Sequence, residues 1–482
     1  MFNRNVTPHG APVDRSAGEK TAKRVAAAHT FRTAASVPGS NAEIRGRVIG
    51  LSLPVLTEMT LMALVSMVDL IQVGRLGPWA ITSVGLSSQP MFVAMSVFIS
   101  LNVGATALVA RFTGGGRPEE ATAVARQALL MATAIGATLA AIGWFGGRAI
   151  LLAMGAGPDV IGPGSAYLRI VSLGLLFQGP EVSLSASLRG AGDTRTPMKA
   201  NMVANLFNVV GNWILINGHL GFPRLEVVGA AIPTFLARVL SLAIVVWTVF
   251  GGGAAMALSL RDSFRPNPPL IRRILRIGLP AAGEQLVLRG GNLAFARIVS
   301  SLGTTVYAAH QVALSVEGLL FHPGQAFQAA STTLVGQGLG AGDPRLAERS
   351  GWQTCNIALA FSLFIAAGLF FFDRFVVLLY TDDPSVIGLS AACLRIIAVV
   401  QPLMITVLVL IGALRGAGDT QWAMIITFIG IWGMRVTGAY LLGLRAGLGL
   451  QGAWIGMALD MALRCILVLA RFKAGRWKTA KV

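Results

Sequence analysis

Apolar stretches of more than twenty residues, separated by short segments rich in Gly, Pro and charged residues, account for most of this chain. A helix of about 20 apolar residues crosses the roughly 30 Å of hydrocarbon in a bilayer. The pattern therefore predicts an all-α polytopic membrane protein with twelve transmembrane helices. The spans are predicted at residues 48–73, 80–111, 121–146, 160–188, 196–217 and 227–250, and at residues 271–301, 306–336, 347–372, 386–413, 421–444 and 449–471.

An internal repeat divides these spans into two sets. The segment Leu188–Thr194, with the sequence LRGAGDT, returns 226 positions later as Leu414–Thr420, and the same shift pairs Glu58 with Glu284. We call these two segments the heptapeptides. Each copy is far longer than the roughly 20 to 50 residues of a solenoid repeat, whereas duplication of a whole lobe is common among membrane transporters. We predict two six-helix lobes related by this offset.

The segments outside the lobes are polar. We predict a disordered, basic cytoplasmic tail over residues 1–47, a first lobe over 48–250, a cytoplasmic linker over 251–270, a second lobe over 271–471 and a basic cytoplasmic tail over 472–482. The Gly and Pro residues of the linker break a helix, and the N-terminal tail has few apolar runs.

Composition indicates that the bilayer is the solvent of this chain. Hydrophobic residues make up 54% of it and charged residues 12%, and the mean hydropathy is +0.68, so polar surface is too scarce to cover a soluble globule. The formal charge of +18 would otherwise suggest nucleic acid, but Lys and Arg concentrate in alternate loops, as in the cytoplasmic loops of membrane proteins. We predict a multi-pass protein of the cell membrane, with both termini and both heptapeptides in the cytoplasm and with no nucleic-acid partner.

The heptapeptides predict tight turns that lead into the next helix. Their glycines permit such turns, and the Asp-Thr pairs that begin at Asp193 and Asp419 can cap the following helix. Arg189 and Arg415 are expected to hold the turn or to contact lipid phosphate. A phosphate-binding turn is a weak alternative, because no strand precedes the Gly-Ala-Gly and no Gly-Lys-Ser/Thr follows it.

Charged residues inside the spans are the best indication of mechanism, since one at a helix centre costs about 2.5–3.5 kcal/mol on insertion scales. Glu58 and Asp69 lie eleven residues apart in span 1, about three helical turns, and therefore on one face. Asp69 is interpreted as a carboxylate in a wet cavity that exchanges protons or binds a cation. The alternative is an interfacial Asp whose oxygens accept hydrogen bonds from loop amides near Gly74 and Arg75.

Four asparagines in span 5 form a stripe on one helix face: Asn201, Asn205, Asn208 and Asn212. They either join helices by hydrogen bonds worth about 0.6–2 kcal/mol each, or supply carbonyl ligands for a cation in a cavity. The shift of 226 does not reproduce the stripe, and it takes Asp69 to Phe295. Because amides that only joined helices would be needed in both lobes, we predict an ion or proton site at Asp69, Asn205, Asn208 and Asn212.

Further polar residues inside the spans are candidates for a cavity or a substrate site: Glu58, Glu181, Glu284, Arg289 and Glu317. Arg289 and Glu317 would make a sensible buried pair, because a lone buried charge is the costly case. His310 and His322 are interpreted as hydrogen-bonded structural histidines.

Catalytic patterns are missing from the sequence. The chain has five His and three Cys and carries no HExxH, GxSxG, Walker A or metal-ligand spacing. We therefore predict a protein that is not an enzyme, with no cofactor and no metal, and whose energy comes from an ion gradient or a partner. A membrane-bound enzyme or scaffold is the alternative from another class.

Several motifs resemble those of the multidrug and toxic compound extrusion (MATE) family in bacteria. They include Met67-Val68-Asp69, the two heptapeptides, the span 5 asparagines, Ala308–Leu314 and Thr333–Gln337, in the order of that family. The resemblance implies alternating access of two six-helix lobes, which export cationic or amphipathic compounds in exchange for protons or sodium. We expect a monomer whose partners are the lipid bilayer and small organic cations.

The resemblance carries over residue by residue. It implies that Asp69 and Asn208 occupy ion-site positions of the family, and that Asn212 stands where some members have an aspartate. Leu288 and Met404 stand where the sodium-coupled branch has acids, so we expect protons rather than sodium as the coupling ion. A flippase for a lipid-linked or polysaccharide precursor is the alternative function, and it requires a basic central cavity.

Overall fold

A computed structural model of the chain describes residues 40–251, 256, 258 and 264–480, and this part consists of helices and short turns without a β-strand. The first lobe contains α1 (Asn41–Gly74), α2 (Pro78–Gly114), α3 (Pro118–Ala153), α4 (Pro158–Leu173), α5 (Leu175–Gly190), α6 (Arg195–Asn217) and α7 (Glu226–Phe250). The second lobe contains α8 (Pro268–Ser300), α9 (Thr304–Gly340), α10 (Pro344–Phe371), α11 (Asp373–Leu378), α12 (Pro384–Ala417), α13 (Thr420–Gly430) and α14 (Gly449–Lys473).

The helices are long and apolar enough for a polytopic membrane protein. Eight helices of the described chain pass this test, if α13 is counted with its continuation to Arg445, and the bent pair of α4 and α5 adds a ninth. Helices α6, α8 and α9 are also long enough to cross a bilayer but are more polar. The predicted fold, twelve transmembrane helices in two repeated lobes, is confirmed.

Two predicted spans are not single regular helices. Span 4 breaks at Gly174 with a bend of 42°, because Arg238 of α7 donates a hydrogen bond of 2.8 Å to the Val171 carbonyl and thereby enters the helical ladder. Span 11 continues beyond α13 as wider π-helical turns at Ile431–Val436 and Ala439–Arg445, next to Gly430, which packs on the side chain of Arg464. Neither irregularity follows from hydrophobic periodicity, since each involves a side chain of another helix.

The first turns of the first helix of each lobe pack in the core of the other lobe. Ile44 and Val48 of α1 are fully buried in the hydrophobic core of the second lobe. Ile274 and Ile277 of α8 are buried in the core of the first lobe. The start of the first helix of each lobe is therefore buried in the other lobe, a reciprocal exchange of helix starts. The two sets of residues are related by the repeat, since the shift of 226 takes Val48 to Ile274.

The predicted N-terminal tail is wrong over residues 40–47. Ser40 and Glu43 form a capping box, in which each side chain binds the backbone N–H of the other residue. Helix α1 consequently begins at Asn41, seven residues before the predicted span. Residues 1–39, and most of the predicted linker up to 263, lie outside the described residues.

The lobes close on each other on the side of the membrane where the heptapeptides lie, which we call the heptapeptide side. Helices α2 and α9 cross there at Gly114 and Gly340, two repeat-related glycines whose missing Cβ atoms allow backbone contact. Thr333 Oγ1 donates to the Arg189 carbonyl at 2.9 Å, and Gln337 Nε2 donates to the Gly190 carbonyl at 3.2 Å. These contacts seal the heptapeptide side in the described conformation.

The end of the chain lies across this seal. Trp477 is fully buried and stacks on Phe472 with 4.7 Å between ring centroids, and Lys478 pairs with Glu348 at 2.7 Å. Arg111 of the first lobe donates to the Ala480 carbonyl at 3.2 Å. The predicted basic tail is therefore anchored to both lobes as far as residue 480.

Candidate functional site

A repeated ion pair joins helices within each lobe. In the first lobe Arg189 Nη2 lies 2.7 and 2.9 Å from the two Glu58 carboxylate oxygens, and Asn201 Nδ2 donates to Glu58 at 2.8 Å. In the second lobe Arg415 Nη2 lies 2.7 Å from Glu284, and Thr427 takes the place of Asn201 at 3.1 Å. Both carboxylates are buried.

This pair corrects the predicted role of the heptapeptide arginines. Arg189 and Arg415 neither hold their turns nor reach lipid phosphate, because each guanidinium points back along its helix to a buried glutamate. Glu58 and Glu284 are thus part of the architecture that both lobes share. Removing one partner would leave a buried charge uncompensated.

The predicted helix caps occur in one heptapeptide only. Asp193 Oδ1 accepts hydrogen bonds from the backbone N–H groups of Arg195 at 3.1 Å and Thr196 at 3.0 Å, which confirms the cap. Asp419 does not cap its helix and instead pairs with Arg471 at 2.8 Å. The tight turns themselves are confirmed by positive φ angles at glycines 192 and 418.

The second group of polar residues surrounds Asp69. Asn212 Nδ2 donates to Asp69 Oδ1 at 2.8 Å. The Asn208 amide is best oriented with its oxygen 3.1 Å from Thr234 N and Oγ1, which places its nitrogen 3.2 Å from both Asp69 oxygens. Asp69 therefore accepts from two amides of α6, and the alternative in which it accepts from loop amides near Gly74 and Arg75 is wrong.

The same group contains an unused acceptor. Asn212 Oδ1 is buried and has no donor among the described residues, and the nitrogen of the same amide contacts the Asp69 carboxylate. These neighbouring oxygens suit a proton or a small hard cation. Within the described part of the chain no group of three or more His, Cys, Asp or Glu side chains could hold a metal ion.

The structure divides the asparagine stripe between these two groups. Asn201 belongs with Glu58, and Asn208 and Asn212 belong with Asp69. Asn205 forms no hydrogen bond with the described residues, so the structure does not bring it into the predicted ion site. Thr234 of α7 is a site residue that the sequence reasoning missed. Comparison of the two lobes could have indicated it, since the repeat pairs Thr234 with the charged residue Asp460.

The second lobe carries a different charge group where the first has Thr234. Asp460 is fully buried and lies between Arg435 at 2.9 Å and Arg464 at 2.7 Å. Asn292 of α8 accepts from Arg435 at 3.1 Å. Glu317 also lies near the two arginines. The second lobe therefore has a charged group where the first lobe has the neutral Thr234, and the two lobes differ in polarity at equivalent places.

The remaining candidates do not join one site. Glu181 accepts from Ser185 at 2.8 Å and lies near Arg189. Glu317 lines a small pocket of the second lobe with Gln401 and three methionines, Met404, Met457 and Met461. The predicted pair between Arg289 and Glu317 is absent from the ion pairs of the described residues. Arg289 instead lies over the ring of Phe92 in the first lobe, 5.7 Å from its centroid.

Comparison with known proteins relates most of the chain to one family. Residues 54–214 and residues 280–441 each match the MatE family. A probable multidrug resistance protein NorM from Thermotoga maritima is 33% identical over 450 residues, which cover 91% of this chain and 94% of that protein. The multidrug resistance protein PmpM from Pseudomonas aeruginosa is 28% identical over 440 residues, covering 88% and 90%.

A solved structure has the same fold. It is described as the outward-facing conformation of a multidrug resistance MATE family transporter of the MOP superfamily. The TM-score is 0.84 at 24% sequence identity, over 92% of this chain and 99% of that one.

Proposed function

The chain belongs to the MatE family, and from this membership we propose that it is a secondary active antiporter for multidrug efflux. It exports cationic or amphipathic small molecules in exchange for protons, by alternating access of its two lobes. The relatives named as multidrug resistance proteins support this class of substrate.

One observation carries the assignment of the coupling group. Four buried carboxylates, Glu58, Glu284, Asp373 and Asp460, are each paired with an arginine at 2.6–2.9 Å. Glu181, a fifth, accepts from Ser185 and lies near Arg189. Asp69 has only amide partners among the described residues. An amide donates to a carboxylate without neutralising it, so the charge of Asp69 remains available to a proton. This availability is expected of a coupling group inside a membrane.

The sealed side of the described conformation supports the proposed path of the coupling proton. Because the heptapeptide side is sealed by α2 and α9, the Asp69 site is reached from the opposite side. We propose that the heptapeptide side is cytoplasmic and that both termini lie there, in agreement with the distribution of Lys and Arg. Protons then bind Asp69 from outside. A neutral Asp69 no longer requires both amide donors of α6, and the loss of these bonds favours the conformation that opens to the cytoplasm.

The charge of the site supports protons rather than sodium as the proposed coupling ion. Position 212 carries an amide rather than a second carboxylate, so the site holds a single negative charge. The acid positions of the sodium-coupled branch are Leu288 and Met404 here. A sodium ion that loses its water needs several anionic or carbonyl ligands in place of that water, whereas a proton needs a single carboxylate. The monomer contains both lobes and is proposed as the working unit.

The test is transport by the purified full-length chain in proteoliposomes, with proton and sodium gradients imposed separately. Asp69→Asn should abolish dye transport driven by a proton gradient while the protein still folds. The control Glu120→Gln removes an exposed carboxylate paired with Arg117 and should leave transport unchanged. Undiminished transport by Asp69→Asn would exclude Asp69 as the coupling group, and transport driven only by sodium would exclude the proton.

A further inference from the structure

Arg289 is a cation without an anionic partner in the middle of α8. Its side chain is exposed, and it forms neither a hydrogen bond nor an ion pair with the described residues. It forms a cation–π contact with the ring of Phe92, which belongs to α2 of the other lobe. An unpaired charge in a membrane-spanning helix is costly and is typically found where it faces a cavity or a ligand.

The helix geometry directs Arg289 to the space between the lobes. Gly278, eleven residues earlier, packs on α2 so closely that an added Cβ would lie 2.7 Å from the Ser100 carbonyl oxygen. Eleven residues are three turns with an offset of about 20°, so Arg289 lies on the same face of α8. Gly291, by contrast, packs on Ile431 within the second lobe. Arg289 therefore points away from its own core and toward the first lobe.

The acids of the second lobe are already engaged. Glu284 is paired with Arg415, and Asp460 with Arg435 and Arg464. Glu317 interacts electrostatically with the same two arginines rather than with Arg289. The protein thus provides Arg289 with an aromatic support and leaves its hydrogen-bonding capacity unused.

The contact with Phe92 leaves the N–H groups of the Arg289 guanidinium free to bind a ligand. A guanidinium group that lies over a ring uses its flat face for the cation–π contact, and the N–H groups at its edge stay free. Two such N–H groups match the spacing of the two oxygens of a carboxylate or phosphate. Phe92 is half exposed, so the position is accessible from the space between the lobes.

We propose that Arg289 binds the anionic group, a carboxylate or a phosphate, of an amphipathic substrate held between the lobes. Arg289 then determines how strongly zwitterionic amphiphiles bind relative to cations. The first lobe contributes the negative charge of Asp69 and the second lobe the positive charge of Arg289. This inference rests on the proposed efflux function and adds the residue that recognises the anionic group of a substrate.

The experiment uses two rhodamine dyes that differ in one group, an ethyl ester that carries a single positive charge and the corresponding free acid, which is a zwitterion at neutral pH. Binding to the purified full-length protein is measured by fluorescence anisotropy, and transport is measured in proteoliposomes of phosphatidylcholine, whose zwitterionic headgroup has no net charge. The variants are Arg289→Gln and Arg289→Lys. The control is Arg297→Gln, which removes an exposed arginine of the same helix that does not contact Phe92.

Arg289→Gln should bind the free acid at least about tenfold more weakly than the wild type does, because it loses charge-assisted hydrogen bonds, and should bind the ester within about twofold. Arg289→Lys should give an intermediate loss, since an ammonium group retains the charge but not the fork of donors. Arg297→Gln should behave as the wild type for both dyes.

Three outcomes would overturn the proposal. The first is equal weakening of both dyes by Arg289→Gln, the second is no weakening of the free acid, and the third is a wild-type protein that binds only the ester. An effect of Arg289→Gln that appears only when anionic lipid is added would assign Arg289 to a lipid phosphate instead. Failure of the efflux function is recognised separately, because the wild-type protein would then transport neither dye while binding still distinguishes the Arg289 variants.

Discussion

The crossing of α2 and α9 at Gly114 and Gly340 gives a sharp prediction about the conformational equilibrium. In Gly340→Ala the added Cβ would lie 2.7 Å from the carbonyl carbon of Arg111 and 3.0 Å from its Cα. Ordinary contacts of this kind are 3.4–4 Å, and the obstructing atoms are backbone that cannot rotate away. The helices must therefore separate at the seal.

The expected magnitude follows from overpacking. An extra methyl group in a well-packed contact costs about 1–3 kcal/mol, and here the cost applies only to the conformation in which α2 and α9 touch. The ratio of sealed to opened molecules should consequently fall by about 5- to 140-fold. Gly114→Ala should act in the same direction, because its Cβ would overlap the backbone of Gln337.

The assay is thiol labelling with a membrane-impermeant maleimide from the heptapeptide side. Thr333→Cys provides the thiol, since Thr333 is buried at the seal against Arg189, and the three native cysteines are buried. Gly318→Ala is the matched control on the same helix, because no atom lies within 4 Å of its added Cβ. Equal labelling of Gly340→Ala and Gly318→Ala would refute the assignment of the seal to this crossing.

Three further predictions concern the buried groups. Glu284→Gln leaves Arg415 without its anion and should lower the stability by about 3–5 kcal/mol in thermal unfolding, whereas Glu284→Leu combined with Arg415→Met should lower it less; an equal loss in both would contradict the ion-pair argument. Asn212→Ala should reduce proton-driven transport about tenfold or more through loss of its bond to the carboxylate, while Asn205→Ala should stay within about twofold, and the reverse order would show that the stripe acts as a unit. Trp477→Ala should cost about 3–5 kcal/mol of stability and increase labelling at the seal, and an unchanged unfolding temperature would mean that the end of the chain is not anchored.

The transmembrane spans and the two repeated lobes can be predicted from the sequence, because the lengths of the apolar stretches and the offset of 226 are properties of the chain itself. The register of the polar groups could also be predicted in part. Asp69 and Glu58 share a face, and the structure confirms it by placing both against α6, at Asn212 and Asn201. What periodicity cannot supply is the identity of the neighbouring helix.

Arg189 and Arg415, whose contacts the sequence predicts wrongly, illustrate this limit. Arg189 ends a helix and precedes a glycine turn, which are local features that indicate an interfacial residue. Its contact with Glu58 spans 131 residues and depends on how α1 packs beside α5. The repeat contained the missing signal, since a glutamate and an arginine are both conserved between the two copies at the same separation. A charge pair that recurs in both lobes of a duplicated chain is a candidate contact.

The reciprocal exchange of helix starts has a consequence for how the chain is made. While the ribosome is still synthesising the second half, the first lobe lacks Ile274 and Ile277 and its core has an open position. The start of α1, in turn, has no second lobe on which to bury Ile44 and Val48. Neither half can therefore complete its packing during translation before the other has entered the membrane. We expect the halves to be recovered as a folded protein only when both are present in one bilayer, as a fused chain or as two co-expressed fragments.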